Sequence, residues 1–198
     1  MSRVSGPSAA HAYGFGSIPE KSFRAMLKRQ TAELDGSVFI DLGCGKGRAL
    51  FIAAEYPFAR VIGVEYAKDL AEIARQNLQN LRPEGLREKI ALYAMDAVQF
   101  EYPSDASCFV FLYSPFDGPV LQEVLRKIAA SHAFTPRPFF LCYARQNSDN
   151  SKDHREEIVR NKGFSPVGEA FTPFDIGAIP DIQFTLFRVN TAEVRSSY

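Results

Sequence analysis

The segment Phe39-Ile40-Asp41-Leu42-Gly43-Cys44-Gly45-Lys46-Gly47-Arg48 sets one carboxylate just ahead of three alternating glycines. An apolar run precedes it and a helix-forming run follows. Open α/β sheets bind ligands at such places, beyond the carboxyl ends of their strands. Gly43 and Gly45 let the chain turn tightly and approach a ligand without a Cβ clash, and Gly47 lets the helix pack close to the strand. A pyrophosphate site needs Gly-x-Gly-x-x-Gly facing a helix N-terminus. Here Arg48 stands at the position of the third glycine. Asp41 would repel a pyrophosphate. It suits a cationic ligand, such as one carrying an ammonium and a sulfonium.

Two further acidic residues end apolar runs. Glu65 closes Val61-Ile62-Gly63-Val64-Glu65, twenty positions after Gly45. A carboxylate at such a strand tip can take both ribose hydroxyls in a bidentate hydrogen bond. Tyr66 follows and can pack against an adenine face. Asp96 closes Leu92-Tyr93-Ala94-Met95-Asp96-Ala97, where a side-chain or backbone acceptor can fix an adenine amino group. The residues also admit structural readings: a plain strand-to-helix turn at Gly43–Gly47, a solvated strand end at Glu65, and a turn cap at Asp96.

A fourth apolar run ends in Phe111-Leu112-Tyr113-Ser114-Pro115-Phe116-Asp117. It resembles the Asn/Asp-Pro-Pro-Tyr/Phe motif of amino-group methyltransferases, in which carbonyl oxygens hold the amine and an aromatic ring favours the cationic product. Ser114 stands where Asn or Asp is expected and lacks the planar carbonyl, and only one proline is present. Tyr113 is expected to orient an acceptor through its hydroxyl and Phe116 to wall the pocket. The alternative is a strand end, a proline turn and a helix start capped by Asp117.

The elements that must position these residues alternate. Ser17 is expected to cap a first helix on which Phe23, Met26, Leu27, Gln30 and Leu34 repeat at helical spacing. Strands are expected at Val38–Leu42, Arg60–Tyr66, Lys89–Met95, Cys108–Tyr113 and Pro138–Ala144, then at Phe164–Phe171 and Ile182–Val189. Helices are expected over Gly47–Tyr56, Lys68–Leu81, Pro119–His132 and Ser151–Lys162. This order predicts an α/β fold: a Rossmann-like, mostly parallel seven-stranded sheet with helices on both faces and a C-terminal antiparallel hairpin. Residues 1–12 read as disordered and residues 13–198 as a single domain with an N-terminal helical lid.

The motifs from Asp41 to Gly47, with Glu65 and Asp96, resemble those of class I S-adenosylmethionine-dependent methyltransferases, over about residues 36 to 190. The resemblance implies that Asp41 acts near the methionine ammonium. It implies that the loop of Gly43, Cys44, Gly45 and Gly47 cradles methionine and ribose, and that Glu65 holds the ribose. Asp96 and Ala97 would hold the adenine. The whole chain is similar to small bacterial methyltransferase-like proteins without assigned substrates, and more distantly to a family that methylates lysines. By that likeness the segment Tyr13-Gly-Phe-Gly-Ser-Ile-Pro19 would fold over the cofactor as a lid, with Tyr13 in contact.

The implied function is methyl transfer from S-adenosylmethionine to an unidentified acceptor, a protein side chain or a small molecule. The alternatives are an NAD(P)-dependent oxidoreductase, against which Arg48 and Asp41 argue, and a non-catalytic S-adenosylmethionine-binding module. In-line displacement at sulfonium needs alignment, desolvation and a deprotonated nucleophile rather than an obvious base. His11, His132 and His154 are not expected to gather at the strand tips, and no spacing suits a metal.

The 23 basic and 23 acidic side chains cancel, which argues against binding nucleic acid by charge alone. Lys21, Arg24, Lys28 and Arg29 read as a solvated helix face. Three widely spaced cysteines make a poor disulfide framework and suit a cytoplasmic location. No apolar run approaches the roughly 20 residues that span a bilayer.

Overall fold

The computed structural model describes residues 16–30, 34–146, 153–161, 163–173 and 182–190. Helix α1 (Glu20–Arg29) precedes β1 (Val38–Leu42), α2 (Arg48–Ala53), β2 (Arg60–Glu65), α3 (Lys68–Gln79) and β3 (Ile90–Ala94). There follow β4 (Cys108–Tyr113), α4 (Gly118–Phe134), β5 (Phe139–Gln146), α5 (Arg155–Arg160), β6 (Phe164–Pro166) and β7 (Ile182–Val189). Short 3₁₀ turns at Glu84–Lys89 and Ala97–Gln99 flank β3.

The seven strands form one sheet in the order β3-β2-β1-β4-β5-β7-β6. β1 to β5 pair in parallel, and β7 runs antiparallel to both β5 and β6. The expected Rossmann-like architecture and its C-terminal antiparallel hairpin are present. The order reverses between β1 and β4, so the tips of these two strands border the crevice where such sheets take ligands.

Alternation along β1 sends its side chains into two cores. Val38, Ile40 and Leu42 pack beneath α4, against Val120, Val124, Leu125 and Ile128. Phe39 faces α1 and α2, against Phe23, Met26, Leu50 and Phe111. The phenylalanine-rich composition becomes an aromatic layer here. Phe23 lies 4.9 Å from Phe111, and Phe39 lies 5.2 Å from Phe58, between ring centroids. Burying a ring of this kind contributes roughly 1.5–3 kcal/mol, so this layer anchors β1 and β4 as a rigid base.

Three expectations need correction. Pro19, not Ser17, is the N-cap of α1, and no side chain caps the helix. The helix begins too late for Ser17 to reach its first amides. The strand expected over Phe164–Phe171 stops at Pro166, which has no N–H for the ladder; Gly168 then bends the chain at φ 70, and only an isolated bridge joins Phe171 to Phe184. The helix expected over Ser151–Lys162 is described only as Arg155–Arg160, and residues 151, 152 and 162 lie outside the described residues.

On α1, Arg24 pairs with Glu20 at 2.8 Å and Glu55 at 2.7 Å, and the Arg29 guanidinium lies 4.9 Å from the Phe171 ring centroid. Two of the four cations expected on a solvated face therefore brace α1 against its neighbours.

Candidate functional site

The site forms where β1, β2 and β4 end. Strand register places Asp41 between Gly63 of β2 and Phe111 of β4. Gly63 has no side chain because the space is full: a Cβ there would lie 2.4 Å from Leu50 and 2.9 Å from the Cys44 Sγ. Asp41 opens into a cleft lined also by Gly43, Phe111 and Tyr113, with Gly16 to Ile18 on the side leading into α1. The segment before α1 therefore borders the cleft, and Ser17 belongs to its wall. Tyr13 lies outside the described residues.

Asp41 is 4% exposed and has no hydrogen-bond or ionic partner among the described residues. Burial, reinforced by the nearby Glu65 carboxylate, pushes its carboxyl up to about 8. A charged group left this way is unfavourable unless a cation joins it.

Gly43 is the most constrained glycine of the loop. It adopts φ 86, and a Cβ on it would lie 2.5 Å from the Cβ of Pro115. The loop after β1 and the turn after β4 are packed backbone against ring, which only glycine permits. Cys44 is buried against the same core, and burial pushes its thiol well up. Gly47 takes φ 88 as the residue that starts α2.

Glu65, 9% exposed, reaches back to the loop. One carboxylate oxygen accepts from the Gly45 N–H at 2.8 Å and the other from the Ala67 N–H at 2.8 Å. Burial raises this carboxyl, and the backbone donors of Ala67 and Gly45 oppose the rise. The twenty-residue spacing seen in the sequence is thus a direct bond that closes the loop onto β2. Each carboxylate oxygen carries a second lone-pair direction, which suits hydroxyl donors.

Asp96 accepts from the Val98 N–H at 3.0 Å and caps the 3₁₀ turn Ala97–Gln99. The turn-cap alternative is therefore realised in this structure, and it holds Asp96 and the buried Ala97 at the tip of β3. Tyr66 is half-buried at the tip of β2.

The residues after β4 divide. Tyr113 faces the cleft, with its ring 3.8 Å from where a Gly16 Cβ would sit. Phe116 goes to the other side: it is 7% exposed in the core under α4 and does not line the cleft. The chain turns between them, at Ser114 and Pro115. Ser114 takes φ 39, the one non-glycine at positive φ among the described residues. Asp117 holds the N-cap position of α4 without a side-chain capping bond.

His154 is fully buried at the carboxyl end of β5, edge-on to Tyr143 with centroids 6.3 Å apart. Tyr143 in turn lies 3.2 Å from Ser114. The pairing of β4 with β5 is what brings Tyr143 to Ser114. Tyr143 left one signal in the sequence, a hydroxyl inside the apolar run Phe139–Ala144; His154 left none. Among the described residues no group of three His, Cys, Asp or Glu side chains is placed to hold a metal ion.

Known proteins share this fold. The magnesium protoporphyrin IX methyltransferase of Synechocystis PCC 6803, solved with bound S-adenosylmethionine, is similar in fold, with a TM-score of 0.58 at 17% identity over 90% of this chain and 88% of that one. The ribosomal protein L11 methyltransferase of Pectobacterium atrosepticum is 28% identical over 111 residues, 56% of this chain and 35% of that protein. A histone-lysine N-methyltransferase of Dictyostelium discoideum is 34% identical over 95 residues, 43% of this chain and 5% of that protein. The chain thus spans only about a third or less of the length of these last two relatives. A family model described as a methyltransferase domain matches residues 33–134, just over half of the chain, from the approach to β1 to the end of α4. With the glycine loop, the acidic strand tips and the strand order all inside or around that match, the chain belongs to the methyltransferase-domain family.

Proposed function

We propose that this protein transfers a methyl group from S-adenosylmethionine to an unidentified acceptor, a protein side chain or a small molecule. The observation that carries the reading is Asp41: a buried carboxylate without a partner among the described residues, opening into the cleft at the sheet's switch point. Such a group needs a cation, and the ammonium of the methionine moiety is one. The residues fit the cofactor in other respects. Part of the Gly43–Gly47 loop borders the cleft, where it would cradle methionine and ribose. Glu65 retains acceptor directions for the ribose hydroxyls while bonded to Gly45. Tyr66 offers a ring to the adenine face, and Asp96 with Ala97 a fixed strand tip to its amino group.

S-adenosylmethionine supplies an electrophilic methyl on a sulfonium, which a neutral nucleophile can take. The chain's own residues then have two tasks: excluding water and aiming the acceptor. Gly16 to Ile18 line the cleft beside Tyr113, which supports the reading that the segment leading into α1 acts as a lid over the methionine end. Tyr113 and Ser114 stand where the acceptor would meet the methyl. The names of the relatives mention ribosomal protein and histone lysine, and the balanced charge of this chain favours a protein or small molecule over nucleic acid. Three buried free thiols fit a cytoplasmic setting. Among the described residues no helix is long and apolar enough to cross a membrane.

Calorimetric titration with S-adenosylmethionine and with NAD tests the reading. Saturable binding of the first and none of the second is expected. NAD binding without S-adenosylmethionine binding would overturn it in favour of an oxidoreductase. Cofactor binding with no transfer of radiolabelled methyl to any fraction of a cell lysate would leave a binding module.

A further inference from the structure

A hollow of about 630 Å³ adjoins the Asp41 cleft, between the start of α1, one side of α2 and the end of α3. Ser17, Lys46 and Arg48 line both, so the two share a wall. Phe51, Ile52 and Leu81 give the hollow apolar surface. The Asn77 amide donates to the Lys46 carbonyl oxygen at 3.1 Å and ties the end of α3 to the glycine loop.

The charges in this hollow do not cancel. Its two acids, Glu20 and Glu55, are both taken by Arg24. The Arg24 guanidinium donates to the two oxygens of Glu55 at 2.7 and 2.9 Å and to Glu20 at 2.8 Å. Such forked pairing fixes the acids in place. That trio carries one net negative charge. Lys46, Arg48 and Arg82 carry three positive charges and are all exposed. The surplus is two positive charges (3 − 1), in a chain whose total is zero. Arg48 has no hydrogen bond or ion pair among the described residues. Arg82 gives one nitrogen to the Gln79 and Leu81 carbonyls. Its neighbouring carboxylate, Glu84 at 3.9 Å, lies closer to Arg87, at 2.5 Å. A local surplus of this kind draws an anionic partner.

The arrangement selects among anionic partners. The cations come from separate elements, Lys46 and Arg48 from the glycine loop and the start of α2, and Arg82 from beyond α3. A free anion is held best where donors converge. Nucleic acid needs many phosphate contacts and aromatic faces for its bases. Phe51 packs its ring on Gly47, where a Cβ would lie 2.7 Å from the ring tip. An extended peptide needs acceptors for its backbone N–H groups, spaced between sites for its side chains. Asn77 and Asn80 each use an amide N–H within the fold, and each keeps an amide oxygen that accepts.

We propose that this hollow docks an extended acidic segment of the methyl-acceptor protein, with its carboxylates on Arg48 and Arg82 and its backbone N–H groups on Asn77 and Asn80. The proposal rests on the methyl-transfer reading above and makes the acceptor a protein rather than a small molecule. Docking beside the cleft holds the acceptor near the cofactor without using the residues that face it.

The test uses the full chain and the variants Arg82→Glu, Arg82→Lys and Arg48→Glu, with circular dichroism to show that each is folded. The probe is a short fluorescent peptide of alternating Glu and Gly, followed by anisotropy. Inorganic phosphate, the matching Lys-Gly peptide and a single-stranded RNA of equal charge are the comparisons. The Glu-Gly peptide should bind saturably and weaken about tenfold as salt rises from about 0.05 to 0.3 M. Arg82→Glu and Arg48→Glu should each weaken it about fivefold or more, while Arg82→Lys keeps most of the affinity. Radiolabelled methyl transfer to the protein fraction of a lysate should fall by a similar factor in Arg82→Glu when lysate is limiting, and recover when it is in excess. No binding of the Glu-Gly peptide, equal binding by Arg82→Glu, tighter binding of the RNA, displacement by phosphate at equal charge, or label on small molecules alone would each overturn the proposal. Peptide binding in a protein that fails to take S-adenosylmethionine would instead sink the methyl-transfer reading.

Discussion

At the tips of β1 and β2 the backbone is shaped by glycines and closed by a carboxylate that bonds two amides, while a second carboxylate has no partner among the described residues. At the tips of β4 and β5 a serine is held in the left-handed region by bonds to a hydroxyl and a carbonyl oxygen. The first region is open for a cation. The two touch at one place, where Pro115 fills the space a Gly43 side chain would need. A methyltransferase must bring two ligands within bonding distance, and this contact fixes the distance between the two half-sites. The difference teaches that one region is shaped by glycine backbone and a buried charge, and the other by hydroxyl hydrogen bonds that hold a strained turn.

Breaking the contact should have the largest effect. Gly43→Ala adds a left-handed penalty and an overlap with Pro115, together roughly 2–5 kcal/mol of stability. Urea unfolding checks this; a loss below about 1 kcal/mol would show that the two tips move independently.

Removing the unpaired charge comes next. The folded carboxyl of Asp41 lies at about 8, above its unfolded value of 3.8. Ionising it therefore opposes folding. Its contribution favours the ligand-free fold below about pH 4, declines between about 4 and 8, and stays low above. Asp41→Asn should remove that slope and raise stability at pH 8.5 by roughly 3 kcal/mol, within the several-kcal/mol cost of a buried unpaired ion. The same variant should bind S-adenosylmethionine about tenfold or more weakly, since a charged partner is lost. Binding by the native protein at pH 6.5 should release protons, visible as different calorimetric heats in phosphate and Tris. A stability curve for Asp41→Asn parallel to that of the native protein would remove the basis for the cation site.

The latch is a smaller matter. Glu65→Ala leaves the Gly45 and Ala67 amides without their acceptor and should weaken S-adenosylmethionine binding by roughly 1.5–3 kcal/mol. Unchanged affinity would mean that the ribose does not sit at this strand tip. The smallest effect belongs to Asp96, where alanine should lower stability by roughly 0.5–2 kcal/mol through the lost cap. An affinity loss exceeding the stability loss would place the adenine against it.

Much of the first region was legible because its information is local. The glycines lie within five positions of each other, and the run of Val, Ile and Leu before them has the length of a buried strand. Even the Gly45–Glu65 bond showed as a spacing, because one helix and one strand separate its ends. The second region resisted. Phe116 was expected at the pocket and is in the core, since the turn at Ser114 sends successive aromatics to opposite faces of the sheet. Ser114 lacks the planar carbonyl of asparagine; the bonds that hold its turn appear only once Tyr143 and Ala144 lie next to it.

From the sequence alone follow the alternation of strands and helices, the antiparallel end of the sheet, the glycine loop and the acidic residue at each of the first three strand tips. Periodicity and short spacings encode these, and short spacings survive folding unchanged. Only the tertiary structure decided that Asp41 has no partner among the described residues, that Pro115 requires glycine at 43, and that Tyr143 lies beside Ser114 with His154 against its ring. Those facts depend on strand register, which joins residues about thirty to seventy positions apart, and on burial, which makes a bare charge or a directed hydroxyl matter.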